Sequence, residues 1–260
     1  MITRMTTRLG AGQSHRSTAV VANPFLNRLL AELPSDEYQR LDPDLEGIPL
    51  RLGEEIYAAG ETLHYVYFPT TAIISLLYTM EDGRSAEIGV VGNDGILGIA
   101  VFMGGESVPN RAVVQSEGDA HRMPAHVLAS EFRRAGTLQR VLLRYTQSLI
   151  AQMSQTAVCN RLHSVEQQLC RWLLLSHDRL PSNELVMTQE LIADMLGVRR
   201  EAVSQQAGRL QDAGLISYHR GRINIVDRAG LEARACECYG VVRREAERLN
   251  ILAADKPSVA

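Results

Sequence analysis

The sequence predicts an α+β chain with an N-terminal antiparallel β-roll (jelly-roll-like), one long helix, and a C-terminal unit of short helices and a hairpin. β-Branched residues alternate with turns through residues 48–123, and apolar residues recur with four-three spacing over 137–162. A helix–glycine–helix pattern and a hairpin occupy 188–226. With 260 residues, 45% hydrophobic and 22% charged, the composition is that of a globular protein of about two domains.

We expect four segments, namely a disordered tail over 1–22, a β-roll domain over 23–136, the long helix over 137–162 and a C-terminal domain over 163–252. The tail has arginines among serines and threonines and no acid, a composition that resembles a transit peptide. A disordered tail or an early start codon is the preferred interpretation. The chain has no signal-peptide core and no run of about 18 apolar residues. We therefore expect a cytoplasmic protein with no membrane partner.

Seven short strands are expected in the β-roll, separated by turns such as Glu-Asp-Gly at 81–83 and Gly-Asn-Asp-Gly at 92–95. Strands of this length with regular turns indicate an antiparallel sandwich or barrel. Short helices are expected on either side of it, at 27–33 and 125–134. The predicted strands are 48–52, 55–58, 65–68, 72–78, 85–91, 111–116 and 119–123.

The long helix carries an apolar seam whose spacing is typical of a coiled coil. The seam residues are Leu138, Leu142, Tyr145, Leu149, Gln152 and Thr156. The preferred interpretation is a homodimer, with the first four of these residues as the dimer contacts. The alternative is that this face packs against the chain's own barrel and that its two polar residues face a cavity.

A second apolar face of the long helix would allow one wide stripe to serve both the barrel and a partner. Its members are Ile150, Met153, Ala157 and Val158. A further helix is expected at 165–180, and a last amphipathic helix of about 20 residues is marked by apolar positions from Leu231 to Leu249. The tail 253–260 is expected to be disordered.

Residues 188–222 have the pattern of a winged helix-turn-helix. The first helix, 189–196, begins after Thr188, a residue that caps helices well, and ends at Gly197, which suits the left-handed conformation of a helix end. A second helix follows at 200–211. Two strands at 215–218 and 223–226, joined by a basic loop, complete the wing.

The second helix presents a polar stripe on the side opposite to its apolar one. An exposed stripe of this kind is what the major groove of DNA accepts. The alternative is an ordinary helical hairpin with a solvated outer face, and the basic wing favours the DNA-binding interpretation. The stripe residues are Arg200, Glu201, Ser204 and Gln205. The net charge is only −3, so attraction to phosphates must come from local arginine placement.

The four cysteines do not form a recognisable site in the sequence. One residue separates Cys236 from Cys238, a poor match to the two intervening residues usual in zinc sites. Cys159 and His163 could lie on one helical face and bind a metal. Buried or incidental thiols are the preferred interpretation for every cysteine, Cys170 included, so no metal site is expected.

A β-roll, a long helix and a winged helix-turn-helix in this order resemble the Crp/Fnr family of bacterial transcription regulators, over roughly residues 24–227. The motifs that carry the resemblance are Tyr-Ala-Ala-Gly-Glu at 57–61, Gly-Ile-Leu-Gly at 95–98 and Arg-Arg-Glu-Ala-Val-Ser at 199–204. The resemblance implies a homodimer that binds a pseudo-palindromic operator in double-stranded DNA, with RNA polymerase as a further partner. It also implies that the β-roll is a sensor domain.

The resemblance implies that Arg200 reads a guanine and Glu201 a cytosine, with Ser204 and Gln205 continuing the reading face. Many relatives have an arginine at the position of Gln205, and glutamine pairs best with adenine, so the half-site should differ there. Phosphate contacts are expected from a larger set. Its members are Thr188, Gln189, Arg199, Arg209, Arg220 and Arg222.

The sensor half departs from relatives that bind cyclic AMP. Ile96 stands where they have a glutamate for the ribose, and Arg111-Ala112 stands where they have an Arg-Ser or Arg-Thr pair for the phosphate. Gly95, Gly98, Arg111 and Ala112 are the candidate effector pocket, although an arginine in a strand is often a surface residue. Cyclic AMP is therefore not expected as the effector. No cofactor is expected, and no effector is assigned.

The function predicted is a dimeric, sequence-specific transcription regulator whose β-roll senses an unknown small effector or works without one. The alternative is a ligand-binding or protein-interaction module that no longer reads DNA. The polar stripe favours the first, because a retired recognition helix does not need it. An enzyme is not expected, since no nucleophile elbow, Walker loop or paired carboxylates are found.

Overall fold

The computed structural model describes residues 22–180 and 182–251, so the predicted tails and Pro181 lie largely or wholly outside the described residues. The described strands are β1 (Glu46–Leu50), β2 (Glu55–Tyr57), β3 (Tyr65–Pro69), β4 (Ile73–Thr79), β5 (Ser85–Val91), β6 (Arg111–Ser116), β7 (Gly118–Pro124), β8 (Glu184–Val186), β9 (Ile216–His219) and β10 (Arg222–Ile225). The described α-helices are α1 (Arg28–Ala31), α2 (Ser35–Leu41), α3 (Ala100–Met103), α4 (Ala125–Arg133), α5 (Thr137–Leu162), α6 (Val165–His177), α7 (Gln189–Leu196), α8 (Arg200–Asp212), α9 (Arg228–Arg234) and α10 (Glu237–Arg248). None of these helices is both long enough and apolar enough to cross a membrane.

Two antiparallel sheets face each other and form the β-roll. Their strand orders are β1-β7-β3 and β2-β6-β4-β5. The space between them is filled by apolar side chains, among which Phe68, Ile74, Leu97 and Met123 are fully buried. The predicted β-roll is confirmed, because all seven predicted strands form within two residues of their expected ends.

Helix α2 was not predicted, and it shows a kind of contact that local pattern does not encode. Its Glu37 is buried and accepts hydrogen bonds from the backbone N–H groups of Thr137 and Leu138, at 2.7 and 2.8 Å. These groups belong to the first turn of α5, which has no side-chain cap of its own. A carboxylate from another element therefore satisfies the start of the long helix, where negative charge is favoured.

The predicted dimer contacts on α5 are wrong. Leu138, Leu142, Tyr145 and Leu149 are at most 3% exposed, because they pack into the core of the chain's own β-roll. Gln152, on the same face, bonds to β5: its side chain accepts from the Val90 backbone N–H at 2.7 Å and donates to the Val90 carbonyl at 3.3 Å. The alternative interpretation of the seam, packing on the barrel, is the correct one.

The opposite face of α5 is the exposed one. Leu143 and Ile150 are 51% and 52% exposed, and Ala157 lies one heptad further along. Three apolar residues seven apart form a seam that nothing in the described part of the chain covers. This face was partly seen in the sequence, through Ile150 and Ala157.

The predicted final helix is in fact two helices. α9 ends at Arg234, and Ala235 and Cys236 are extended before α10 begins. α10 then lies along α5, where Gln147 donates to Glu245 at 3.1 Å. Beyond it, Leu249 and Ile251 enter the core of the β-roll. The C-terminal segment therefore returns from the second domain to the first.

The two domains share a buried interface. Ile73, Leu77 and Val90 on the outer face of the four-stranded sheet pack with the apolar face of α6. Arg179, just after α6, forms a buried ion pair with Asp94, with Nε–Oδ1 and Nη2–Oδ2 distances of 3.0 and 2.7 Å. Both side chains are about 4% exposed. A paired geometry of this kind fixes the relative position of the domains, because each buried charge needs the other.

Buried polar side chains also cross this interface. Glu87 and Gln115 both contact the Ser75 hydroxyl, at 2.5 and 2.9 Å, and Gln115 donates to Ser176 of α6 at 2.7 Å. Burial raises the pKa of Glu87 to about 7, although the hydrogen bond with Ser75 acts in the opposite direction. If Glu87 is protonated, each of these side chains has a hydrogen-bond partner. The Glu87 carboxyl then donates to the Ser75 hydroxyl, and that hydroxyl donates to Gln115.

Candidate nucleic-acid interface

The first helix of the motif, α7, begins and ends as its sequence predicts. The Thr188 hydroxyl accepts the backbone N–H of Leu191 at 3.2 Å, which caps the helix. Gly197 has φ 66°, in the left-handed region, and the Val198 N–H bonds back to the Ala193 carbonyl at 3.0 Å. The helix is thereby stopped within one residue, and α8 can start at a sharp angle to it.

The second helix, α8, buries one stripe and exposes the other. Val203, Ala207 and Leu210 are at most 4% exposed and pack with α6 and α7. Burial at these three positions fixes the rotation of the helix about its axis. The side opposite to them is therefore the side that can enter a groove of DNA.

All four residues predicted to read bases lie on the exposed side of α8, namely Arg200, Glu201, Ser204 and Gln205. Among the described residues, Arg200 forms an ion pair with Glu190, at 3.8 Å between Nε and Oε2, and both side chains are more than 60% exposed. An exposed pair of this length contributes little stability. Its guanidinium can therefore turn to another acceptor at little cost.

A hydrogen bond joins the two helices on this surface. The Ser204 hydroxyl donates to Oε1 of Gln189 at 2.9 Å. Gln189 is the first residue of α7 and was predicted as a phosphate contact. This bond orients its amide so that the NH2 group points away from Ser204 and remains a donor.

The wing is a three-stranded sheet, of which the sequence predicted two strands. Its order is β8-β10-β9, and β8 comes from the segment just before α7. β8 was missed because it has only three residues and follows a turn. At the hairpin tip, Arg220 and Gly221 have φ values of 49° and 78°. Two successive positive φ values are those of a type I′ turn, which holds the Arg220 side chain out into solvent.

Of the six predicted phosphate contacts, three border one cleft, two lie at α8 outside it, and Arg222 stands apart. Thr188, Gln189 and Arg220 border, together with Arg200, a single open cleft of about 440 Å³ between the two helix starts and the wing tip. Arg199 precedes α8 and is exposed, and Arg209 is exposed near the other end of the helix.

Arg222 differs from the other phosphate candidates, because its guanidinium forms an ion pair with Glu184 of β8. A DNA phosphate would have to compete with this carboxylate. Arg220 has no carboxylate partner among the described residues. Of the two wing arginines it is therefore the better placed to contact a DNA phosphate.

The predicted effector-pocket glycines serve packing. A Cβ atom at Gly95 would lie 2.3 Å from the ring of Tyr145, and one at Gly98 would lie 3.0 Å from Val66. Gly98 also has φ 105°. These two glycines allow the turn after β5 to press against α5 and β3.

Arg111 and Ala112 lie on opposite faces of β6, so they do not form a joint anion site. Ala112 is fully buried and points into the roll. Arg111 points outward, where Nη1 is 3.4 Å from Glu55 and Nε donates to Thr79 at 3.2 Å. The prediction of Arg111 as a pocket residue is wrong. Adjacent residues in a strand alternate between faces, and burial of the alanine decides which one faces inward.

The structure brings together four residues that the sequence analysis treated as incidental. Among the described residues, Cys159, His163, Cys236 and Cys238 have side-chain ligand atoms that all lie within 4.8 Å of one another. Cys159 and His163 come from the end of α5, whereas the other two flank the start of α10. The only signal in the sequence was the Cys-x-x-x-His spacing on a helix, because the fold of the second domain supplies the rest.

Two family models match the chain. The cyclic nucleotide-binding domain matches residues 48–135, and the Crp-like helix-turn-helix domain matches residues 167–234. No curated protein matches the sequence significantly.

Several solved structures have the same architecture, among them the following three. FixK2 from Bradyrhizobium japonicum is 19% identical, with a TM-score of 0.64 over 74% of this chain and 98% of that one. A transcriptional regulator of the CRP family from Thermus thermophilus is 22% identical, with a TM-score of 0.60 over 72% of this chain and 96% of that one. The c-di-GMP responsive global regulator CLP of Xanthomonas campestris is 13% identical, with a TM-score of 0.59 over 74% of this chain and 99% of that one.

Proposed function

The chain belongs to the Crp/Fnr family of transcription regulators, and from that premise we propose that it binds a pseudo-palindromic operator as a homodimer, without cyclic AMP. The observation that carries the proposal is the exposed face of α8. Arg200, Glu201, Ser204 and Gln205 are exposed together on it, and they adjoin the cleft bordered by Thr188 and Arg220. Donors and acceptors of this kind read bases in the major groove, while the residues around the cleft hold the backbone.

The dimer is proposed to form through the outer face of α5. Leu143, Ile150 and Ala157 are seven residues apart, and the two larger ones are about half exposed. A seven-residue apolar repeat on a helix of 26 residues suits a coiled coil. A parallel pair would place both copies of α8 at the same end of the molecule, as two half-sites one turn of DNA apart require.

The proposal that cyclic AMP is not the effector rests on three positions in the roll. Ile96 is fully buried where a ribose would need a carboxylate, Ala112 offers no hydroxyl, and Arg111 points outward. Each polar ligand group left without a partner costs about 1–3 kcal/mol. We expect RNA polymerase to be a further partner of the DNA-bound dimer, as in the family.

The proposal is tested by a mobility shift on the DNA upstream of the chain's own gene, without added ligand. Wild-type protein should give one discrete complex that a specific unlabelled competitor removes and random DNA does not. Arg200→Ala should weaken that complex, whereas Arg84→Ala, on an exposed turn of the β-roll, should not. Equal competition by random DNA would instead favour a module that no longer reads sequence.

A further inference from the structure

The Cys159, His163, Cys236 and Cys238 cluster has the dimensions of a single tetrahedral metal centre. Cys159 Sγ lies 3.5 Å from Cys236 Sγ, and Cys238 Sγ lies 3.4 Å from His163 Nδ1. A zinc ion with bonds of about 2.3 Å to sulfur and about 2.0 Å to nitrogen requires edges of about 3.8 Å between sulfurs and about 3.5 Å between sulfur and nitrogen. These two distances are within a few tenths of an ångström of the required edges, and all four ligand atoms lie within 4.8 Å of one another. Shifts of up to about an ångström would therefore let the four atoms surround one ion.

The side chains around the cluster are of the kinds that hydrogen-bond to metal ligands in metalloproteins. If Nδ1 of His163 binds the ion, its Nε2 lies 3.4 Å from a carboxylate oxygen of Glu237. A carboxylate at the second nitrogen fixes the tautomer and orientation of a metal-bound histidine. Gln155 donates to the Cys238 sulfur at 3.1 Å. This bond holds the sulfur in place from outside the cluster, as outer contacts do for metal ligands.

The charge of the surroundings also fits. Arg171 is only 5% exposed, and its Nε and Nη1 find no hydrogen-bond partner among the described residues. Three thiolates, a neutral histidine and a divalent ion carry one net negative charge. That charge would compensate a buried guanidinium that is otherwise short of partners.

We propose that Cys159, His163, Cys236 and Cys238 bind one zinc ion that clasps the C-terminal helix α10 to the end of α5. The ion displaces the three thiol protons on binding, so no oxidant or reductant is needed. The site has four protein ligands and no open position, which is the arrangement of a structural zinc site.

The clasp lies at the joint between the two domains. His163 directly follows the last residue of α5, and α6 begins two residues later after the capping residue Ser164. A metal shared with Cys236 and Cys238 would connect this joint to the start of α10. If the chain binds an operator as proposed above, the zinc would hold α8 in a fixed position relative to the dimer helix.

The metal itself is measured on full-length protein purified without a histidine tag. Elemental analysis should find about one zinc per chain, and Co²⁺ added after zinc removal should give the absorption of a tetrahedral thiolate complex. His163→Gln and Cys238→Ser should lose the bound zinc. Glu237→Gln should keep it with an affinity about 10-fold to 100-fold weaker. The matched control is Cys170→Ser, because Cys170 is equally buried and lies outside the cluster.

Two results would overturn the site directly. The first is wild-type protein that contains less than about a tenth of an equivalent of zinc and also fails to bind added Zn²⁺. The second is a Cys238→Ser variant that retains the full amount of zinc. Iron with acid-labile sulfide, or a Cys159–Cys236 disulfide in protein kept under reducing conditions, would do the same. Circular dichroism and the reversible removal of zinc from wild-type protein with a chelator separate loss of metal from loss of folding.

The clasp is tested separately and rests on the proposed DNA binding. Removing zinc from wild-type protein should weaken operator binding at least 10-fold, and adding Zn²⁺ back should restore it. Unchanged operator affinity in the zinc-free protein would overturn the clasp. Wild-type protein that holds zinc but binds no operator would instead show that the proposed function has failed.

Discussion

The DNA-facing surface and the interior of the β-roll differ in how much of a binding site each one retains. On α8 the polar side chains are exposed and only weakly paired, as with Arg200 and Glu190. In the roll, the corresponding region is filled by Ile96 and Ala112, and Arg111 is turned to the surface. Exposed polar side chains suit a surface that binds DNA, whereas a region filled by apolar side chains leaves no polar partner for a ribose or a phosphate. This contrast supports the proposal that the chain reads DNA without cyclic AMP.

The largest effect is expected at the dimer face of α5. Leu143→Glu together with Ile150→Glu should give a monomer, because two charges would replace the exposed apolar seam. Operator affinity should fall at least 100-fold, since a single α8 contacts only one half-site. Sedimentation and a mobility shift measure the two consequences.

Two controls sharpen the dimer prediction. Met103→Glu changes an equally exposed apolar residue that lies off α5 and should leave the dimer intact. Leu142→Glu should destabilise the fold, since Leu142 is buried in the roll. An unchanged dimer in the Leu143/Ile150 double variant would place the interface on another surface.

The next largest effect is expected at Glu87, which lies at the interface between the β-roll and the C-terminal domain. Burial raises its pKa from the usual 4.5 to about 7, so the folded chain holds a proton that the unfolded chain releases. The contribution of this group to the free energy of unfolding is greatest below pH 4.5 and falls as pH rises towards 7. Above pH 7 the folded protein has lost about 3 kcal/mol of this contribution. Glu87→Gln should therefore be more stable than wild type at about pH 8, and the difference should shrink at about pH 5.

Urea unfolding at the two pH values measures this difference. Glu117→Gln is the matched control, because Glu117 is exposed on the turn between β6 and β7 and should show no pH-dependent difference. A stability difference between Glu87→Gln and wild type that is the same at both pH values would show that Glu87 is ionised in the folded protein.

Base reading is expected to have a smaller effect. Arg200→Ala should cost about 1–3 kcal/mol at the preferred site and relax the preference at one guanine. Gln205→Arg should shift the preference away from adenine at a neighbouring base pair. Competition binding against single-base variants of the operator measures both. Identical base preferences in wild-type protein and Arg200→Ala would show that this arginine contacts no base.

The smallest effect is expected at the wing. Arg220→Ala should weaken binding to all sequences alike and lower the slope of log affinity against log salt by about one. Arg222→Ala should change the slope less, because its guanidinium is already paired with Glu184. Salt titrations of both variants measure the slopes, and a larger effect for Arg222 would contradict the assignment made from the structure.

Much of this molecule could be predicted from sequence, and the exceptions share a cause. The bounds of α5 and α7 follow from apolar spacing and from caps such as Thr188 and Gly197, which act within a few residues. The same signals do not show which face of α5 is buried, because both faces are apolar and the choice depends on where the β-roll sits. The cysteine cluster escaped prediction for the same reason, since its halves are more than 70 residues apart. Local signals define elements, whereas long-range packing decides which surfaces meet.

Dimeric DNA reading without a cyclic nucleotide in the roll can be examined in one experiment. Binding sites for the purified protein are selected from a pool of random duplex DNA, with and without cyclic AMP. We expect one pseudo-palindromic sequence, with half-sites about one helical turn apart, to be recovered equally in both selections. Recovery of no sequence, or of a sequence only when cyclic AMP is present, would contradict this expectation.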